Sequence, residues 1–308
     1  MNPIEDLLVG IHRQDSRAVG RAISLVEEGN EKAGEILRAL DENLIDAATV
    51  IGVTGPPGTG KSTLTDHLIT LFRRQGRRIG VVAVDPSSPV HGGAILGDRI
   101  RMMKHATDRD VVIRSMATRG RLGGLCASTS AAVKIMACSG CCPILIETVG
   151  VGQAEIDIAD LADVVVLVLA PGLGDDIQAM KAGLIEKADV LVVNKADCPG
   201  ADALYAEMKA SIRQEGRSIC LTNAREGQGI IEVAGAVEAV DLRLRQSGRC
   251  ENRRQKNLEW EVVGWALEMM RERIVRRMRE SPGRTEKDPR TLACELVEEL
   301  CRTSETKD

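Results

Sequence analysis

The sequence predicts an α/β fold: a doubly wound, mostly parallel sheet with a helical extension before it and a helical arm after it. Three observations carry this. Short apolar, β-branched runs alternate with helix-period segments from Thr49 to about residue 245, as in a parallel sheet covered on both faces. A glycine-rich turn stands between the first run and the first helical segment. The chain on either side of this stretch reads as helix.

The predicted strands are residues 50–53, 79–84, 111–113, 144–146, 164–169, 190–193 and 218–221. Before them, Asn2-Pro3 looks like a cap with proline at the first helical position. Asp15 can cap a second helix carrying Val19, Ile23 and Val26 and closed by Gly29. A third apolar pattern follows at Ile36, Leu37, Leu40 and Leu44. After the sheet, residues 258–279 fit one long helix. It has two apolar stripes, one of Trp260, Val263, Leu267, Met270, Ile274 and Met278, the other of Leu258, Val262, Trp265 and Met269. A helix apolar on two sides needs two partners. Residues 281–283, Ser-Pro-Gly, break it, and Asp288-Pro289 restarts a helix with Leu292, Leu296 and Leu300 on one face. The expected domains are therefore 1–45, 46–245 and 246–308.

Composition narrows the function. A net charge of −4 over 308 residues gives no general attraction to nucleic acid or membrane. Phe72, Tyr205, Trp260 and Trp265 are the whole aromatic set, too few for the base-stacking platforms of single-strand binders. No apolar run reaches membrane-spanning length. Nine scattered cysteines in a chain of this size do not read as a disulfide framework, and the first residues lack the pattern of a leader. The cytoplasm is the expected location. Residues 243–290 carry 14 Lys/Arg against 8 Asp/Glu, either a solvated helix exterior or a surface for an acidic partner.

The chemistry begins at Gly55-Pro56-Pro57-Gly58-Thr59-Gly60-Lys61-Ser62, followed by Thr63. This is G-x-x-x-x-G-K-[ST] between a strand and a helix, the context a phosphate loop requires. Its glycines let backbone N–H groups curl around phosphate oxygens at a helix N-terminus. Lys61 is expected to reach the β- and γ-phosphates, and the Ser62 hydroxyl to ligate Mg²⁺. Asn194-Lys195-Ala196-Asp197 follows the sixth run and matches N-K-x-D. A carboxylate at Asp197 can accept from guanine N1–H and the exocyclic amine, a donor pair that adenine lacks. Asn194 would brace the loop and the Lys195 stem would pack on the base. Asn223-Ala224, after the last run, stands where a backbone N–H can meet guanine O6. The expected ligand is therefore GTP or GDP with Mg²⁺.

Acids at strand ends are candidate metal ligands: Asp85, and Glu147 at the head of Glu147-Thr148-Val149-Gly150. Asp98, in a glycine-rich loop, is a further candidate ligand and catalytic residue. Gly150 can sense the γ-phosphate through its N–H. Gln153, three residues beyond, is a candidate for orienting the attacking water. Arg119 and Arg121 can supply charge in cis. Cys138, Cys141 and Cys142 make one C-x-x-C with no second pair and no histidine nearby, a poor zinc site.

Together the phosphate loop, Val84-Asp85-Pro86-Ser87-Ser88-Pro89, Gly92-Gly93-Ala94-Ile95-Leu96-Gly97-Asp98-Arg99, Thr118-Arg119-Gly120-Arg121-Leu122-Gly123-Gly124, Glu147-Thr148-Val149-Gly150-Val151-Gly152-Gln153 and Asn194-Lys195-Ala196-Asp197 resemble the MeaB/ArgK group of P-loop GTPases, of the SIMIBI type. The resemblance covers nearly the whole chain. It implies a GTP-hydrolysing chaperone of an adenosylcobalamin-dependent acyl-CoA mutase, with methylmalonyl-CoA mutase as the type, and a homodimer joined through the C-terminal arm. It assigns no B12 contact to this chain. It also implies a switch in residues 172–181, where Asp175, Gln178 and Lys181 match the polar pattern that relays the partner's state. Asn223 departs from the serine more usual there. The alternative is a metallochaperone GTPase for nickel enzymes, which needs a Cys/His metal site that only residues 138–142 could supply. A small-molecule kinase also fits the phosphate loop, but N-K-x-D counts against ATP.

Overall fold

The computed structural model describes residues 3–30, 32–85, 103–117, 127–148, 154–172, 183–211, 217–280 and 288–302. Seven strands, β1 (Val50–Thr54), β2 (Ile79–Asp85), β3 (Val111–Ala117), β4 (Ile144–Thr148), β5 (Val164–Leu169), β6 (Val190–Val193) and β7 (Ser218–Leu221), form one sheet in the order β3-β2-β4-β1-β5-β6-β7. Every pairing is parallel. β1, β4, β5 and β6 are buried along their whole length, which is why they read as unbroken apolar runs and not as alternating ones.

One face of the sheet is covered by α5 (Lys61–Arg74) and α10 (Ile230–Gln246). Leu64, Leu68, Ile69 and Phe72 of the first and Val233, Val237 and Val240 of the second pack on Ile51, Val53, Val166 and Val192. Each such side chain contributes about 1.5–3 kcal/mol on burial. The other face carries α6 (Ala127–Cys138), in which eleven of twelve residues are buried. A helix without a polar face must be covered on both sides. The sheet covers one side of α6, and α1 (Pro3–His12), α2 (Ser16–Glu27), α3 (Ala33–Arg38) and α4 (Glu42–Ala47) meet it too. Residues 3–47 thus form an outer layer on α6.

Local signals explain these helices. Asp15 caps α2 by accepting from Arg17 N at 3.0 Å, and the helix buries Val19, Ile23 and Val26. The apolar pattern from Ile36 to Leu44 divides at Asp41, whose carboxylate accepts from Asn43 N at 2.9 Å and starts α4. Asp288 likewise caps α12 (Pro289–Arg302) through Thr291 N at 2.8 Å.

The chain divides into two compact units, residues 1–257 and 258–308. Helix α11 (Arg249–Glu280) starts in the first. Its first turns are anchored by two aspartates that stand just before β5 and β6. Asp163 accepts from Val50 N at 2.9 Å and from Arg254 Nε at 3.1 Å. Asp189 accepts from Val165 N at 3.0 Å and from Arg253 Nη1 and Nη2 at 2.9 and 2.8 Å. These bonds tie the start of α11 to the first unit. In the second unit Leu292 and Leu296 are buried, while Val262, Val263, Leu267, Met269 and Met278 are exposed. No helix among the described residues is long and apolar enough to cross a membrane.

The Asp163 carboxylate is only 4% exposed. Asp163→Ala leaves the Arg254 guanidinium and the Val50 N–H without it, and is expected to lower the unfolding free energy by about 3–5 kcal/mol. Urea denaturation checks this; a loss below about 1 kcal/mol would mean that the arm is rooted by other contacts.

Candidate functional site

Parallel strands deliver all their carboxyl ends to one edge of the sheet, and ligands of open α/β sheets bind there. Five chain segments meet along that edge: the turn 55–60 after β1, the ends of β2 and β4, and the loops after β6 and β7. Asp85 closes β2 and Glu147 is the last residue but one of β4, where it pairs in register with Val53 of β1.

The turn has the backbone of an anion cradle. Gly55, Gly58 and Gly60 take φ of 138°, 75° and 94°. At Gly55 a Cβ would overlap the Val168 carbonyl oxygen, and at Gly60 it would overlap the Asn194 side-chain amide. Both positions therefore exclude any side chain, for conformation and for space. Thr59 Oγ1 donates to Pro56 O at 3.0 Å and fixes the turn. Lys61, 5% exposed, folds back over it and donates Nζ–H to Gly55 O at 2.7 Å and to Pro56 O at 2.9 Å. Its ammonium is thus held over the mouth of the turn.

Next to it, Ser62 Oγ donates to Glu147 Oε1, and Thr148 Oγ1 donates to Thr54 Oγ1 at 3.2 Å. A hydroxyl and a carboxylate in contact are hard oxygen donors of the type Mg²⁺ takes together with phosphate and water.

Asn194 is the hub of the other half. It is 3% exposed. Its Nδ2 donates to Thr59 O at 2.8 Å, while its Oδ1 accepts from Thr222 Oγ1 at 3.0 Å and from Ala224 N at 2.9 Å. One amide thus joins the phosphate loop, the β6 loop and the β7 loop. Lys195 follows with φ 59°, rare for a residue with a side chain, and Asp197 stands exposed on the same loop. The two backbone N–H groups considered for guanine O6 are both used inside the protein: Ala224 N on Asn194, and Asn223 N on Gln228 O at 3.2 Å. Thr59 and Thr148 stand inside the sequence motifs, whereas Thr222 had no signal beyond standing next to Asn223-Ala224. Side chains of Asp85 and the whole of Asp98, Arg119, Arg121, Gly150, Gln153, Asp175, Gln178 and Lys181 lie outside the described residues.

The cysteines behave as packing residues. Cys138 and Cys141 are buried at the end of α6; burial pushes both thiols up. Cys138 Sγ donates to Asp41 O at 3.6 Å, Cys141 Sγ lies 3.4 Å from Ser139 Oγ, and Cys142 Sγ donates to Ala47 O. Among the described residues, no three His, Cys, Asp or Glu side chains gather in a way that could hold a metal ion.

A family model described as "Methylmalonyl Co-A mutase-associated GTPase MeaB" matches residues 19–283. A protein of Pyrococcus abyssi is 48% identical over 268 residues, 84% of this chain and 82% of that one. The Mus musculus protein named "Methylmalonic aciduria type A homolog, mitochondrial" is 31% identical over 309 residues, 93% of this chain and 74% of that one. The crystal structure of an LAO/AO transport system kinase has the same fold, with a TM-score of 0.68 and 23% identity over 97% of this chain and 99% of that one.

Asn194→Ala removes three hydrogen bonds at once and leaves Ala224 N and Thr59 O buried without their partner. Each orphaned group costs about 1–3 kcal/mol, so the variant is expected to lose at least about 2 kcal/mol of stability without nucleotide. Chemical denaturation with no ligand added measures this, and an unchanged midpoint would deny the hub role.

Proposed function

Since the chain belongs to the MeaB family of methylmalonyl-CoA mutase-associated GTPases, we propose that the GTP it hydrolyses serves an adenosylcobalamin-dependent acyl-CoA mutase, in cofactor loading and protection of that enzyme. The observation that carries the reading is the family match over 19–283, which takes in the phosphate loop, the N-K-x-D loop and the whole of α11. The likeness to the mouse protein over 93% of this chain supports it. No B12 contact is assigned to this chain.

In this reading the N–H groups of Gly58, Thr59 and Gly60, with Ser62 and Thr63 at the helix start, hold the phosphates, while Pro56 and Pro57 shape the turn without donors of their own. Lys61 exchanges its two carbonyl partners for phosphate oxygens. Ser62 and Glu147 hold Mg²⁺ together with Asp85 and Asp98; when bound, the ion neutralises charge on the phosphate oxygens. Gly150 N–H faces the γ-phosphate and Gln153 orients the water. Asp197 reads the guanine N1–H and amino group, with Lys195 along the base. Because Asn223 N and Ala224 N are engaged elsewhere, base selection falls chiefly on Asp197. The exposed apolar stripes of α11 join two copies into a homodimer, and Asp175, Gln178 and Lys181 relay the state of the mutase. Cys138, Cys141, Cys142, Cys198, Cys220, Cys250 and Cys294 are free thiols, in keeping with work in the cytoplasm.

Two outcomes test this. Asp197→Asn should shift preference from GTP to xanthosine triphosphate, because the acid is replaced by a group matched to the base with the inverted donor pattern. Calorimetric titration reads it, and equal affinity of the unaltered protein for ATP and GTP would remove the guanine assignment. Steady-state hydrolysis should rise when the cognate mutase is added, by a factor up to about 10³–10⁵ if the partner completes the site. Lys181→Ala should reduce that acceleration more than the basal rate. No acceleration by any such mutase would reject the partner.

A further inference from the structure

Helix α5 starts at the phosphate loop with Lys61 and Ser62 and buries Leu64, Leu68, Ile69 and Phe72. A second stripe lies beside that buried face. At 100° per residue Ser62, Asp66 and Arg73 fall within an arc of about 40°, and Asp66 stands one turn, about 6 Å, beyond Ser62. Along this stripe α5 binds the segment that returns the chain to β3. Near the start of the helix the Asp66 carboxylate accepts from Lys104 Nζ and from His105 Nε2–H, each at 2.9 Å. Near its end Arg73 donates to Asp108 at 2.8 and 3.2 Å and to Asp110 at 2.8 Å. The segment is closed on itself, with Asp108 N donating to His105 O at 3.0 Å and Asp110 N to Asp108 Oδ1 at 2.9 Å. An acid and then an arginine on the helix meet a basic pair and then an acidic pair, so the segment can lie on α5 in one register only.

The two anchors serve different parts of the chain. Arg73 fixes the segment at its entry to β3, and Asp66 fixes it further upstream. Lys104 is 75% exposed, so its pair with Asp66 contributes little. The side chains of Asp66 and His105 are 13% and 12% exposed, and a bond so sheltered is screened far less. The chain leaves the sheet at Asp85, the end of β2, and is held again at Lys104-His105. Asp98 stands six residues before Lys104, a length that spans at most about 20 Å. The Asp66–His105 bond therefore sets the point from which the stretch bearing Asp98 can reach, and that point lies on the helix of Ser62.

Resting on the assignment of Asp98 to Mg²⁺ above, we infer that Asp66 is a positioning residue for GTP hydrolysis: through His105 it ties the chain that bears Asp98 to the helix that bears Ser62. Two oxygen donors far apart in sequence are thereby referred to one rigid element. Asp66 itself touches neither nucleotide nor ion. A displacement of about 1 Å at a reacting centre can cost about 100-fold in rate. The bond therefore acts on kcat and on the hold on Mg²⁺, while affinity for the nucleotide stays with the phosphate loop and Asp197.

The test uses the full chain with Asp66→Ala, His105→Ala, the two combined, His105→Gln, and Asp98→Ala as the reference. Steady-state GTP hydrolysis is followed across Mg²⁺ concentrations. Mg²⁺ is also titrated calorimetrically into each protein carrying a non-hydrolysable GTP analogue, and urea unfolding reports stability. Asp66→Ala should lower kcat about tenfold and weaken Mg²⁺ binding by a similar factor, with KM for GTP nearly unchanged. The combined variant should lose no more than either single one, since both remove the same bond. His105→Gln keeps an N–H donor and should keep most of the rate. Lowered stability with kcat and Mg²⁺ affinity intact makes the pair structural and overturns the inference, as do additive losses in the combined variant. Should Asp66→Ala not fold, His105→Ala against His105→Gln decides: equal rates in the two overturn it, and a loss confined to His105→Ala upholds it. An Asp98→Ala protein with unaltered Mg²⁺ affinity removes the Asp98 assignment and this inference with it. A defect in Asp98→Ala beside an intact Asp66→Ala removes this inference alone.

Discussion

All seven strands run the same way, and most of what this chain does depends on that constraint. A parallel strand can be followed by another only through a crossover, so the sheet is covered on both sides and its central strands β1, β4, β5 and β6 are buried along their length. The same constraint brings every carboxyl end to one edge. Residues 55–62, 85, 147 and 194–197, far apart in sequence, are neighbours there without any further device. What remains is to fix the loops relative to one another, and the Asn194 amide does that with three short bonds.

The strands were legible because burial on both faces leaves an unmistakable composition: the predicted runs coincide with the observed ones except where strands extend by a few residues into the site, as at Glu147-Thr148. Thr54, Asp85, Glu147 and Thr148 were hidden because they are polar; β3 also runs on through Arg114, Ser115, Met116 and Ala117, beyond its apolar start. The phosphate loop was legible from its glycines, all three at positive φ and two of them, Gly55 and Gly60, without room for a Cβ. The fate of the Ala224 N–H was not. Whether a backbone donor faces outward or is taken by a neighbouring side chain depends on a rotamer some thirty residues away, and no local pattern encodes it. The break at Asp41 was missed for a related reason: the apolar spacing continued across it, and only the capping geometry shows that the helix restarts.

The arm illustrates a different limit. Its helical period could be read, but its root could not, since Asp163 and Asp189 gain their meaning only when β5 and β6 stand beside the start of α11. Each of these acids serves a strand N–H and an arginine together. The long helix and the sheet therefore share the same two carboxylates, and neither can lose them without affecting the other.

The burial of α6 bears on how the molecule can be divided. A fragment cut to the sheet and its nucleotide loops alone, starting near Thr49, would bare a helix made almost wholly of Ala, Val, Ile, Met and small hydroxyl residues. Such a surface is adhesive to any apolar neighbour. The N-terminal helices therefore act as a built-in shield, and a soluble minimal GTPase module from this chain has to keep them.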